Sequence, residues 1–127
     1  GRWSAACSVR AVDADGPGLR ALQAAAGNEG LTIQTAARNL YKSPLLAADF
    51  QGVDAIVFDP PRAGAKAQAP EIARSGVPRV VAVSCNPATF VVDAAPLLAA
   101  GYTFTRLTVI DQFTWSAHVE IVAVFSR

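Results

Sequence analysis

Cys85 and Glu120 are of types that do covalent and proton chemistry, and each sits where a strand pattern meets a turn. Cys85 lies in Val83-Ser84-Cys85-Asn86-Pro87-Ala88-Thr89, after an apolar run and immediately before a helical pattern. The amides that open a helix favour an anion, and thiolate is the nucleophilic form of cysteine. A polar Ser-Cys-Asn-Pro turn is a poor place for a purely apolar side chain, whereas Cys7 reads as a packing residue. Glu120 ends His118-Val119-Glu120 and enters the apolar run Val119 to Phe125. Desolvation there suits a group that takes up a proton, the alternative being a strand-end glutamate in solvent or in an ion pair. His118, the single histidine, reads as structural. Asp59-Pro60-Pro61-Arg62 follows the apolar run Asp54 to Phe58, so its carboxylate emerges at a strand's C-terminal end, where open α/β sheets bind ligands. The two prolines hold the loop extended and bring no amide donors; a rigid turn whose aspartate caps a neighbour is the structural alternative.

These groups need strands that end together. Ser8 to Val12, Leu31 to Thr35, Ala55 to Phe58 and Arg79 to Ser84 read as strands, with Ala- and Leu-rich helical patterns between several of them. That alternation predicts a parallel α/β sheet. The first helix starts near Pro17, places Leu19, Leu22 and Ala26 on one face and ends at Gly27-Asn28. A second, around Gln68 to Ser75, is stopped by Gly76, and a third opens at Asn86-Pro87, with Asn as cap and Pro in the first turn. Pro96 should kink or divide the third helix. Tyr102 to Ile110 and Val119 to Ser126 are both strand-like with no helix between them, so they should pair antiparallel.

The chain has 127 residues, a length that suits one domain with one core. With 52% hydrophobic and 17% charged residues it has a globular profile, without repeats or low-complexity tracts. Lys and Arg number 11 against 10 Asp and Glu, so the strong positive field behind nonspecific nucleic-acid affinity is missing. Two cysteines are too few for a disulfide framework or a zinc cluster, and no metal site is expected. Apolar runs stay below the roughly 18 to 20 residues of a membrane span, and no signal-peptide pattern opens the chain, which makes a cytoplasmic protein without membrane partners the expectation.

DPPRAGA at 59 to 65, SCNPAT at 84 to 89 and DQF…HVE ending at Glu120 resemble, in order and spacing, the bacterial uracil-5 RNA methyltransferases. The resemblance covers the C-terminal two-thirds of the chain. Upstream, Ala11-Val12-Asp13 resembles the strand-end acid that contacts the cofactor ribose, and Asn39-Leu40 the step near its adenine. The resemblance implies a class I S-adenosylmethionine-dependent methyltransferase, a Rossmann-like α/β sheet whose last strands form an antiparallel pair. Residues 1–127 would be part of that catalytic domain, without its first strand and glycine-rich cofactor loop, and inactive when isolated. Cys85 and Glu120 would be catalytic. Asp13, Asn39 and Asp59 would bind S-adenosylmethionine, and Arg62 and Asn86 the RNA, ribosomal or transfer.

The resemblance supplies a mechanism for the two reactive groups. Uracil C5 is too weak a nucleophile to accept a methyl directly, but thiolate addition at C6 makes an enolate that is nucleophilic at C5. A base must then take the C5 proton so that the thiol can leave. A target in structured RNA would have to be flipped out of its stack. Amino-group methyltransferases favour an aromatic residue after Asp/Asn-Pro-Pro and need no cysteine, so Arg62 and Cys85 oppose that reading. Cytosine-5 RNA methyltransferases use cysteine in motifs other than SCNP and lack the terminal HVE. Gln112 and Thr114-Trp115 depart from the family, which often has Met and Pro-containing sequence there. A non-catalytic interaction or RNA-binding remnant of the fold is the alternative from another class.

Overall fold

The structure, a computed structural model, describes residues 8–30, 33–111 and 119–127. Cys7, Leu31, Gln112, Thr114, Trp115 and His118 lie outside the described residues. The chain forms two compact units, Gly1–Ser43 and Pro44–Arg127, where length alone predicts one core.

The first unit holds strand β1 (Val9–Asp13), helix α1 (Gly16–Asn28) and strand β2 (Ile33–Ala37). The two strands pair in parallel from Val9 opposite Ile33 to Asp13 opposite Ala37, as the β-α-β alternation requires. The Asp15 side chain accepts from Gly18 N–H at 3.1 Å and caps α1, with Pro17 in the first turn, where its missing N–H has no cost. Leu19 and Ala26 are buried, but Leu22, expected on the same face, is 42% exposed. One helix over two strands offers too little surface to cover a whole apolar stripe.

The second unit carries a single turn of 3-10 helix (Ala47–Phe50), then β3 (Ala55–Phe58), α2 (Gln68–Ser75), β4 (Arg79–Ser84), α3 (Pro87–Ala99), β5 (Thr103–Asp111) and β6 (Val119–Ser126). Its four strands lie in the order β3-β4-β6-β5. β3 and β4 run parallel, while β6 is antiparallel to both β4 and β5, the pairing expected of the last two strands. Alternation sets the core. Val80, Ala82 and Ser84 of β4 and Ile121, Ala123 and Phe125 of β6 are buried, and Ile72, Ala73, Phe90, Ala94 and Leu97 of α2 and α3 belong to the same side of the molecule's core or line it. Phe104 of β5 joins this face through its ring, 4.6 Å from that of Phe125. The register then shifts by one residue between Phe104 and Arg106, a bulge that leaves Thr105 out of the ladder pairs.

The helix ends follow the sequence closely. Gly76 stops α2 in the left-handed conformation at φ 71°, which a side chain would strain. Asn86 caps α3 by accepting from Ala88 N–H at 3.1 Å. Pro96 was expected to kink or divide α3, yet the helix runs undivided to Ala99. Proline removes one bond, to the carbonyl of Val92, and Val92 is exposed, so water can serve that carbonyl. The segment before β3 is seated on α2 by Gln68, whose side chain both donates to the carbonyl and accepts from the N–H of Leu45, each at 2.8 Å.

Tyr102, 2% exposed, locks the end of α3 to the start of β4 by donating its hydroxyl to the carbonyl of buried Val77 at 2.6 Å. Tyr102→Phe keeps the ring and leaves that carbonyl unpaired, which costs about 1–3 kcal/mol. Chemical denaturation of the full-length protein should show that loss; an unchanged midpoint would mean that water replaces the hydroxyl.

Candidate active site

β4 delivers its last buried residue, Ser84, and the chain then turns through Cys85 into the cap of α3. The Ser84 hydroxyl donates to the Asn86 carbonyl at 3.1 Å and lies 3.2 Å from Asn86 N–H, closing a tight turn around the cysteine. Cys85 is a half-buried free thiol. Its neighbourhood follows from the sheet register. The last β4–β6 pair is Ser84 opposite Ile121, and an antiparallel ladder moves one residue forward on one strand as it moves one back on the other. Cys85 follows Ser84 at the end of β4 and Glu120 precedes Ile121 on β6, so the two flank this last pair. Ser84 and Ile121 are buried, and Cys85 and Glu120 are both half-buried. A thiol and a carboxylate thus flank the same end of the β4–β6 ladder. Glu120 is also opposite Ile110 of β5, an apolar cross-strand neighbour.

The Asp59–Arg62 loop leaves β3, two strands from β6, and is fastened to α3. The Arg62 carbonyl accepts from Asn86 Nδ2 at 3.1 Å and from Thr89 Oγ1 at 3.2 Å. Ala65 N–H donates to Asp93 Oδ2 at 2.8 Å. The side chains of Asp59 and Arg62 remain exposed at the C-terminal end of β3. Asn86, expected on the substrate side, uses both ends of its amide inside the protein, one as helix cap and one on the loop.

Gly64 makes this fastening possible. It has φ 85°, and a Cβ there would come within 2.9 Å of Thr89 Cβ and 3.0 Å of Asp93 Oδ2. Gly64→Ala is therefore expected to destabilise the full-length protein by about 1–2 kcal/mol from the backbone alone, and more from the contacts. Thermal unfolding measures this; equal stability would show that the loop can lift from the helix without cost.

Asp93 is the residue that motif reading passed over. It is 5% exposed, and desolvation pushes its carboxyl above the usual carboxylate range, partly offset by the Ala65 N–H. Its signal in the sequence is its isolation as the one charged residue in Pro87–Ala99.

In the first unit, Asp13 and Asn39 emerge at the C-terminal ends of the neighbouring strands β1 and β2. Asp13 Oδ1 accepts from Asp15 N–H at 3.0 Å, and the exposed carboxylate borders a cleft of about 230 Å³ lined also by Ala11, Val12, Gly18 and Leu22. Asn39 Oδ1 accepts from the N–H groups of Tyr41 and Lys42 and shapes its own turn. Among the described residues no cluster of His, Cys, Asp or Glu could hold a metal ion, and no helix is long and apolar enough to cross a membrane.

The chain is similar in sequence to RNA methyltransferases. An RNA methyltransferase of Rhizobium meliloti described as uncharacterized is 51% identical over 121 residues, 94% of this chain and 29% of that protein. One of Agrobacterium fabrum is 50% identical over the same shares. The 23S rRNA (uracil(1939)-C(5))-methyltransferase of Acinetobacter baumannii is 37% identical over 111 residues, 75% of this chain and 24% of that enzyme. The tRNA (uracil-5-)-methyltransferase family matches residues 32–127, and the chain belongs to that family. It spans under a third of the length of these relatives.

Proposed function

We propose that the whole protein methylates uridine at C5 in RNA with S-adenosylmethionine, using Cys85 as covalent nucleophile and Glu120 as base. The observation that carries this reading is the register of β4 and β6, whose last pair, Ser84 opposite Ile121, has Cys85 next to it on one chain segment and Glu120 on the other. A reaction that needs addition at C6 and proton removal at the adjacent C5 calls for two groups at one end of a site. Family membership supports the chemistry, and the β3-β4-β6-β5 order supports a class I methyltransferase sheet.

The donor set of the first unit fits the cofactor. Asp13 is an exposed carboxylate with Oδ1 engaged by an amide, and Oδ2 is suited to accept from ribose hydroxyls; Asn39 stands at the end of the next strand. Asp59 is the corresponding acid of the second unit. When bound, S-adenosylmethionine supplies an electrophilic methyl group. The chain's own residues do the rest. The Cys85 thiolate adds to C6 and breaks the C5–C6 double bond, with the electron pair moving onto the ring enolate. Once C5 carries the methyl, Glu120 removes the C5 proton, the double bond re-forms and the thiolate leaves. Arg62, exposed on its fastened loop, is placed to pair with a phosphate of the RNA.

The test follows one atom. Full-length protein given S-adenosylmethionine and RNA carrying tritium at uridine C5 should release one tritium for each methyl transferred. Methylation without release would put the methyl on another atom. No methylation and no release would leave the interaction module as the better reading.

A further inference from the structure

Asn86, Thr89 and Asp93 stand at positions i, i+3 and i+7 of the α3 region, so they form one stripe along the helix that begins just after Cys85. All three reach the same loop. The first two bind the Arg62 carbonyl, and Asp93 takes the Ala65 N–H. We propose that Asp93 is a positioning residue: by holding Ala65 N–H it fixes the Asp59–Arg62 loop, and hence the RNA that Arg62 would hold, relative to Cys85. This rests on the function proposed above.

The loop has few other means of being held. Pro60 and Pro61 have no N–H, and the Gly64 N–H already closes a turn onto the Pro61 carbonyl at 2.8 Å. Ala65 N–H is thus the donor through which the loop's end is anchored to a neighbouring element. Its carbonyl in turn accepts from Gln68 and Ala69 as the chain enters α2, a helix whose cap position, Ala67, makes no side-chain bond. Asp93 therefore fixes two things at once, the end of the loop and the start of α2.

The choice of an acid here runs against stability. Burial opposes the charged carboxyl, which receives one amide in return, and an apolar residue of similar size would cover the same core. A costly group at a bond to the catalytic loop is explained by what the bond positions. Asp93 itself is buried, 5% exposed, and its bond goes to the loop backbone.

Asp93→Leu and Asp93→Asn in the full-length enzyme separate positioning from packing. Leu removes the acceptor and fills the space; Asn keeps an acceptor oxygen and drops the charge. The readouts are thermal stability, amide hydrogen exchange across 62–65 and the single-turnover rate of Cys85 adduct formation with 5-fluorouridine RNA. For Leu we expect a loss of stability no greater than that of Tyr102→Phe, faster exchange at Ala65 and adduct formation slowed about 10²-fold, the scale of a misplacement near 1 Å. For Asn, exchange and rate should return to within about threefold of wild type, since geometry and not charge is restored. Tyr102→Phe, destabilised far from the loop, should keep the wild-type rate. Unchanged exchange at Ala65 in Asp93→Leu, an equal rate loss in Tyr102→Phe, or Asn as slow as Leu would each overturn the proposal. Wild type forming no adduct would instead sink the proposed function, and the exchange readout would still decide whether Asp93 seats the loop.

Discussion

Cys85→Ala in the full-length protein is expected to lower methyl transfer by a factor on the order of 10⁶, the scale of removing a covalent nucleophile. Binding of RNA should be almost unaffected, because the fastening of the turn does not involve the thiol: Ser84 and Asn86 close it, and Asn86 caps the helix. The loss should therefore fall on kcat, with KM for RNA little changed. RNA containing 5-fluorouridine makes the role of the thiol directly visible. Fluorine at C5 blocks the final proton removal, so wild type should accumulate a covalent complex that survives denaturation, and Cys85→Ala should form none. An adduct surviving the substitution would assign the nucleophile to another residue, and a small loss of rate would assign Cys85 to packing.

Which parts of this could be read in advance depends on whether the signal is local. Asn86-Pro87 and Gly76 announce helix ends because capping and left-handed turns act over a few residues, and both stand where the sequence puts them. Strand identity was equally readable, since the apolar runs of β3, β4 and β6 are short and bounded. Pro96 does not divide α3, because the effect of the lost bond depends on whether a carbonyl four residues back can find water, which only the fold decides. Leu22 misled for a related reason: periodicity gives the face of a helix and not how much of it is covered. The division into two units was equally hidden, because length sets how much core a chain can bury but not where contacts thin.

The candidate site divides along the same line. Cys85 and the Asp59 loop were visible through residue type and position after a strand. That Cys85 and Glu120 flank the same ladder pair, Ser84 opposite Ile121, could not be read from spacing, because it requires the antiparallel register of strands that are not neighbours in sequence. Asp93 and Thr89 were missed because they serve a backbone N–H and a carbonyl that lie 28 and 27 residues away.

Glu120→Gln should fail at a different step from Cys85→Ala, and that difference is the strongest test of the pairing across the sheet. An amide is close in shape to the carboxyl and cannot take a proton, so addition of Cys85 and methylation at C5 should still proceed. Elimination should not. The variant is expected to turn over about 10²–10⁴-fold more slowly, the usual contribution of a placed general base. Ordinary uridine RNA, without fluorine, should then accumulate a denaturation-resistant complex that carries the new methyl group and retains its C5 tritium. Glu120 shares β6 with the core residues Ile121, Ala123 and Phe125 and is itself half-buried, so thermal unfolding of the variant separates lost chemistry from lost stability. If no methylated complex builds up while turnover is lost, Glu120 acts before methyl transfer, in binding or in orienting the ring. If turnover is unaffected, another base completes the reaction, and Glu120 serves the sheet and not the chemistry.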